Sequence, residues 1–265
     1  MEITSLAWRT DIAILEQSGS TVTDCGTHLL VTTPDNPAFR WGNFMLLQQA
    51  PLPGGAREVM GAFDSWFRTN RHRAIGVDAG VEVDTAEFAA AGMEAGVAEV
   101  MTAERLVAPE RPFVEGGIRP LTSDEWDKWV DLELGAMGQE GRQRESRDYL
   151  RARARAEQRL VDAGLGRRWG VFVDGRLAAS AGIYDTGDGV YRYRAVLTHS
   201  RQRGRGICST LIHRMGQWAL ARPGARQLVI VADPDGPAIN VYRRLGFETT
   251  ETVTELFQML PGRIA

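Results

Sequence analysis

A helix that starts directly after a short glycine loop offers unpaired backbone N–H groups at the positive end of its dipole, and phosphate is stabilised there. Residues 196–212 have the composition for such a site. Val196, Leu197 and Thr198 read as the end of a strand, Gly204 and Gly206 alternate with Arg203 and Arg205, and Ile207, Cys208, Leu211 and Ile212 open a helix. Glycine lets a backbone approach phosphate oxygens closely, and the arginines, with Arg201 upstream, add charge beside a strongly anionic ligand. On its own, Gly-Arg-Gly is equally an ordinary left-handed turn before a helix. Cys208, at the helix start, is a thiol whose pKa the dipole would lower. Further on, residues 235–247 place Tyr242, a phenol able to donate a proton, in a short helix closed by Leu245, Gly246 and Phe247.

The elements that must carry these residues follow from pattern. Residues 118–121 read as a strand, and Thr122 with Glu125 forms a capping box that opens a helix bearing Trp126, Trp129, Val130 and Leu134. A second, highly charged helix is expected over 147–163. Residues 169–173 and 177–184 alternate as strands around Asp174 and Gly175, a favoured hairpin dipeptide, and 191–198 supply a third strand. After the glycine loop come a helix over 207–221, a strand over 227–232, the short helix over 237–245 and a last pair of strands within 248–260. Upstream, the spacing predicts a helix over 3–17, strands at 28–32 and 43–48, a helix over 56–68, a strand at 72–77, a helix capped by Asp84 and Glu87, and a closing strand over 99–107. Two prolines and the pair Gly116 and Gly117 mark 108–116 as a linker.

In these two runs the chain resembles the GNAT superfamily of N-acetyltransferases. That family's pyrophosphate loop reads Arg/Gln-x-x-Gly-x-Gly/Ala, and two registers fit, from Arg201 or from Arg203. The second sets Thr198 and the pair Leu211 and Ile212 at the usual distances, with Cys208 where the family has glycine or alanine. Residues 235–247 are similar to the family's Asn-x-x-Ala-x-x-Leu-Tyr-x-x-Leu-Gly-Phe helix, with Asp235 in place of the asparagine. Two motifs in order, separated by a strand, are far more specific than either alone. The resemblance implies an α/β fold with a mixed sheet, the GNAT fold, in two copies: a degenerate domain over 1–107, the linker, and a catalytic domain over 117–265.

It further implies transfer of an acetyl group from acetyl-CoA to a primary amine by direct attack in a ternary complex, with no metal. Val196, Leu197 and Thr198 would then hold the pantetheine arm through their backbone, and Arg203, Gly204, Arg205, Gly206, Ile207 and Cys208 the pyrophosphate. Tyr242 would protonate the departing thiolate. An alkylammonium is only about a thousandth neutral at pH 7, so a base is also required. Glu115, Asp185, Asp188 and Tyr193 lie on or near strands that could face the cleft, but each also reads as a turn or edge residue. His199 and His213 read as solvated side chains.

Residues 50–55, after the strand at 43–48, lack both the arginine and the Gly-x-Gly spacing, and two prolines remove donors. One acetyl-CoA per chain is therefore expected. The aromatic run over 36–44, with Trp41 at its centre, reads as an interdomain contact or as a wall of the acceptor pocket. A net charge of -3 disfavours nucleic acid as a partner, and no apolar run is long enough to cross a bilayer. Cys25 and Cys208 stand far apart and no leader-like segment opens the chain, which predicts a reduced, cytoplasmic setting. The acceptor, a small-molecule or peptide amine, carries no readable motif. The rival reading is a non-catalytic acyl-CoA-binding sensor or interaction module.

Overall fold

The computed structural model describes residues 1–78, 83–136 and 147–260. They form two compact units, Met1–Val100 with Thr250–Ala265, and Met101–Thr249. Compactness therefore divides the chain differently from a cut at 108–116, because its last strand packs with its first hundred residues.

In the first unit, helix α1 (Leu6–Gln17) precedes strands β1 (Thr21–Asp24), β2 (His28–Thr32) and β3 (Phe44–Leu47). Helix α2 (Ala56–Trp66), β4 (His72–Val77), α3 (Ala86–Ala90) and β5 (Glu94–Ala103) follow, and β11 (Glu248–Met259) returns at the end. The strand order is β1-β2-β3-β4-β11-β5. The expected pair of strands within 248–260 is one continuous strand, whose residues from Thr254 to Met259 pair antiparallel with Val77 to His72. Fully buried Leu256 anchors it in a core with Ile75, Phe63 and Phe88. Trp8 lies flat over Gly76, where a Cβ would come within 2.5 Å of the indole, and donates Nε1–H to the Val77 carbonyl at 3.0 Å. Trp41 packs against Trp8 and Phe44 at centroid distances of 5.6 and 5.7 Å, so the aromatic run over 36–44 is part of this unit's own packing.

The second unit begins with Met101 and Ala103, the last residues of β5, which enter its core. It continues with β6 (Gly117–Pro120), α4 (Trp126–Ala136), α5 (Arg147–Asp162), β7 (Gly166–Val173), β8 (Arg176–Asp185), β9 (Val190–Thr198), α6 (Ile207–Leu220), β10 (Gln227–Ala232) and α7 (Ile239–Arg244). Its strand order is β10-β9-β8-β7-β6, with β9 and β10 parallel and the others antiparallel. The capping box of Thr122 and Glu125 forms as read, and Arg119 and Lys128 also bind the Glu125 carboxylate. The face of the sheet toward α6 carries the apolar core, including Ala179, Ala181, Ile183, Tyr193, Leu211 and Met215.

The other face holds a polar cluster. Arg168, 1% exposed, donates Nε–H to Glu157 Oε2 at 2.8 Å and Nη1–H to Ser180 Oγ at 3.1 Å, and its guanidinium carbon lies 4.4 Å from the Trp129 ring centre. The Tyr184 hydroxyl donates to the same carboxylate oxygen at 2.5 Å. Burial alone would raise the Glu157 pKa, but the Arg168 charge beside it, helped by Arg153 and the Tyr184 hydroxyl, holds it below its ordinary value.

Candidate functional site

The strand, loop and helix that run through residues 190–220 form a β-α-β unit, with the glycine loop at the carboxyl end of β9, where open α/β sheets present ligand sites. β9 pairs with β10 only over Val190, Tyr191 and Arg192. Beyond Arg192 its edge on that side is left open among the described residues. The β8 register shifts there too: Ser180 opposes Leu197 while Gly182 opposes Arg194, so β9 carries one extra residue, and Ala195 takes a positive φ of 46°. This bulge re-aims the backbone of Val196, Leu197 and Thr198 just before the loop.

Ser200–Gln202 form a 3-10 turn, capped by His199, whose Nδ1 accepts from the Arg201 amide at 3.2 Å. Arg203 then folds back and donates Nε–H to the Thr198 carbonyl at 3.3 Å. Gly204 and Gly206 adopt φ values of +77° and +76°, which an L side chain resists. Gly206 is the N-cap of α6 and offers no side chain to it. In consequence the backbone N–H groups of residues 204–209 donate to no group among the described residues. A concave run of amides continuous with a positive helix end is a phosphate cradle.

The segment read as a linker is a strap under this loop. The Arg111 carbonyl would lie 2.4 Å from a Cβ on Gly206, the Phe113 amide donates to Thr210 Oγ1 at 2.8 Å, and Thr210 Oγ1 donates to the Gly206 carbonyl at 2.8 Å. Arg205 stacks its guanidinium 5.4 Å from the Phe113 ring centre and pairs with Glu115 and Gln202. Arg205 is thus engaged in holding the loop to the strap, while Arg203 is exposed.

Ile207 is buried and anchors the helix start, and Cys208 follows it. The lowered thiol pKa expected for Cys208 is not found: burial pushes it up to about 11. Tyr242 is 4% exposed, stacked edge-on against Phe247 at 6.2 Å, and its hydroxyl has no hydrogen-bond partner among the described residues. Its pKa is raised, first by burial and then by the neighbouring Cys208. A phenol held protonated in this way does not act as a base near neutral pH. The four candidate bases are accounted for differently. Glu115 pairs with Arg205, and Tyr193 donates its hydroxyl to the Ile212 carbonyl at 2.8 Å inside the core. Asp185 accepts from the Gly187 amide at 2.9 Å in a turn, and Asp188 is exposed with a φ of 51°. Asp235 donates its amide to Asp233 Oδ1 at 2.9 Å, beginning the turn that leads to α7.

The corresponding place in the first unit is already filled. The expected capping box of Asp84 and Glu87 does not form, because Glu87 reaches out of α3 and its carboxylate accepts from the amides of Gly54 and Ala56 at the start of α2. A carboxylate of the chain thus occupies the helix end that a phosphate would need.

The family model of the acetyltransferase (GNAT) family matches residues 123–247, from the first helix of the second unit through the glycine loop to Phe247. That segment, 125 of the 265 residues, carries the match to the GNAT superfamily. The GNAT fold extends over the whole chain. A functionally unknown conserved protein from Staphylococcus epidermidis superposes with a TM-score of 0.72 at 13% identity, covering 91% of this chain and 95% of its own. A GCN5-related N-acetyltransferase from Kribbella flavida gives 0.63 at 17% identity, over 98% of this chain and 97% of its own. A tandem GNAT protein from the clavulanic acid biosynthesis pathway gives 0.56 at 15% identity, over 94% and 87%. No curated protein matches the chain. Acyltransferase chemistry is what the family match supports for residues 123–247. Among the described residues no group of three or more His, Cys, Asp or Glu is placed to hold a metal ion, and no helix is long and apolar enough to cross a membrane.

Proposed function

We propose that the chain transfers the acetyl group of acetyl-CoA to a primary amine, in the unit Met101–Thr249, by direct attack in a ternary complex. The observation that carries this reading is the run of unpaired amides over residues 204–209, placed at the end of a strand whose edge is open. The amides of Gly204, Arg205, Gly206, Ile207 and Cys208 would take the pyrophosphate, with Arg203 adding charge. The open edge of β9 at Val196, Leu197 and Thr198 would pair with the amides of the pantetheine arm as an added strand does.

Chemically, the neutral amine nitrogen bonds to the thioester carbon, a β9 amide near Leu197 donates to the oxyanion, the nitrogen gives up its extra proton to solvent, and the carbon–sulfur bond breaks. Tyr242 gives its proton to the leaving sulfur, and the phenolate regains one from solvent. The raised pKa of Tyr242 keeps that proton in place before the thiolate forms. Cys208 takes no covalent part, since its thiol is almost wholly protonated near neutral pH. One cofactor molecule per chain is the expected stoichiometry, because Glu87 occupies the equivalent helix start of the first unit.

The test is calorimetric titration of acetyl-CoA into the wild type and Gly204→Asp, followed by an amine screen. Gly204 is the right position because nothing lies within 4 Å of its Cβ, so a carboxylate there meets the ligand and not the strap. One-to-one binding lost in Gly204→Asp supports the site. Binding without turnover on any amine would favour the non-catalytic acyl-CoA-binding reading, and no binding to wild type would sink both.

A further inference from the structure

Helix α6 leads away from the glycine loop, and Trp218 stands about 18 Å along it from Gly206 at the usual rise per residue. At that far end, where β7 begins, the second unit holds a cavity of about 330 Å³ whose lining includes Trp126, Val161, Arg167, Arg168, Trp218 and Arg222. Nothing in the acetyl-transfer chemistry uses it.

Its chemistry is uneven in a specific way. Trp126 and Val161 make an apolar interior, while the guanidinium carbons of Arg167 and Arg222 each lie 5.2 Å from the Trp218 ring centre. Both arginines are exposed at the mouth. Arg167 makes no hydrogen bond or ion pair among the described residues, and no Asp or Glu lines the cavity. Arg222 is shared with the Tyr191 hydroxyl, which Asp185 also approaches. The third arginine differs: Arg168 is spent on Glu157 and serves as a fixed rear wall. That wall is rigid on the strand side as well, since a Cβ on Gly166 would come within 2.2 Å of the Ile183 carbonyl. Guanidinium groups stacked on an indole keep their in-plane N–H donors free for a carboxylate, and the stacking orients them.

We propose that this cavity is a binding site for an aryl carboxylate, its ring lying against Trp126 and Val161 and its carboxylate between Arg167 and Arg222. The size falls within the range of small-molecule sites. The site is separate from the cofactor loop, so it stands or falls independently of the acetyl-transfer reading.

The probe is 2-naphthoate, titrated calorimetrically into the full chain with and without saturating acetyl-CoA, beside neutral 2-naphthamide. Saturable one-to-one binding is expected, unchanged by acetyl-CoA and at least about ten-fold weaker for the amide, because the charge-assisted bonds are lost. Arg167→Gln and Arg222→Gln, both exposed, should each weaken naphthoate at least about ten-fold while leaving the urea midpoint and acetyl-CoA binding in place. Absence of naphthoate binding at millimolar concentration overturns the proposal. So does equal binding of the amide, equal binding by both arginine variants, or displacement by acetyl-CoA, which would return the probe to the cofactor site.

Discussion

Removing the Glu157 carboxylate should be among the most damaging single changes in the second unit, and the structure says how the damage can be undone. Glu157 accepts from Arg168 twice and from Tyr184 once, and Arg168 is 1% exposed with its face on Trp129. Glu157→Gln keeps the volume but leaves the Arg168 charge buried without a counter-charge, a change that costs roughly 3–5 kcal/mol. Glu157→Leu with Arg168→Met removes both charges, and most of that loss should return. What remains is the unpaired hydroxyl of Tyr184 and part of the bonding of Ser180, together about 1–3 kcal/mol. Adding Tyr184→Phe should recover a further part. Urea denaturation of the four proteins, followed by tryptophan fluorescence, gives the loss and its recovery; adding the single variants Glu157→Leu and Arg168→Met closes the cycle and gives the coupling energy. A Glu157→Gln loss below about 1 kcal/mol would refute the argument, as would a double variant no better than the single one. The pH dependence has a definite sign. The Glu157 pKa is depressed in the folded chain, so its stabilisation is full above the unfolded value of ~4.3 and fades as pH falls through the folded value. Wild type should therefore lose stability below about pH 4 more steeply than the Glu157→Leu, Arg168→Met double variant.

Other outcomes are equally definite. Gly204→Ala and Gly206→Ala impose the same left-handed penalty of about 1–2 kcal/mol, but only the second meets a backbone carbonyl at 2.4 Å, so its urea midpoint should fall further; equal midpoints would show that the strap gives way. Tyr242→Phe should lower kcat at least about ten-fold with acetyl-CoA affinity retained, and since burial raises the Tyr242 pKa, the wild-type rate should show no loss of this acid up to pH ~10; unchanged kcat removes the assignment. With its thiol at about 11, Cys208 should react with iodoacetamide slowly at pH 8 and progressively faster above pH 10, and Cys208→Ala should keep its turnover; fast labelling at pH 7 would contradict the burial argument. Glu87→Gln should not create a second acetyl-CoA site, because two prolines still interrupt residues 50–55, and a calorimetric stoichiometry of two would overturn that reading.

The sequence carried the glycine loop plainly, because two positive-φ positions before a helix ask for glycine and leave a visible spacing. The bulge that aims the preceding strand left no such sign: its positive φ falls on Ala195, a residue whose type announces nothing. Pairs far apart in sequence were equally silent. Glu157 reads as a member of a charged helix and Arg168 falls just before the strand expected at 169–173, and only packing shows that they meet. Residues 108–116 look like a linker because prolines do, yet Arg111 and Phe113 make tertiary contacts with α6 that no local pattern encodes. β1 escaped notice because Thr21–Asp24 is mostly exposed and lacks an apolar alternation. The tyrosine at 242 was legible as a motif residue, whereas the engagement of Glu115 with Arg205 was not.

The return of β11 to the first unit sets an order of events at the ribosome. The residues from Met1 to Val100 emerge with the β4 edge, His72–Val77, still lacking the partner that Thr254–Met259 supply. At ~5–20 residues per second, the intervening Met101–Thr249 takes roughly seven to thirty seconds to synthesise. For that interval a strand bearing Ala74, Ile75 and Val77 presents an open, apolar edge, the kind that recruits other chains. Meanwhile the unit Met101–Thr249 has no such wait, since its own strands arrive in one continuous run. A fragment ending at Thr249 should therefore hold a protease-resistant second unit beside a first unit that chaperones still bind.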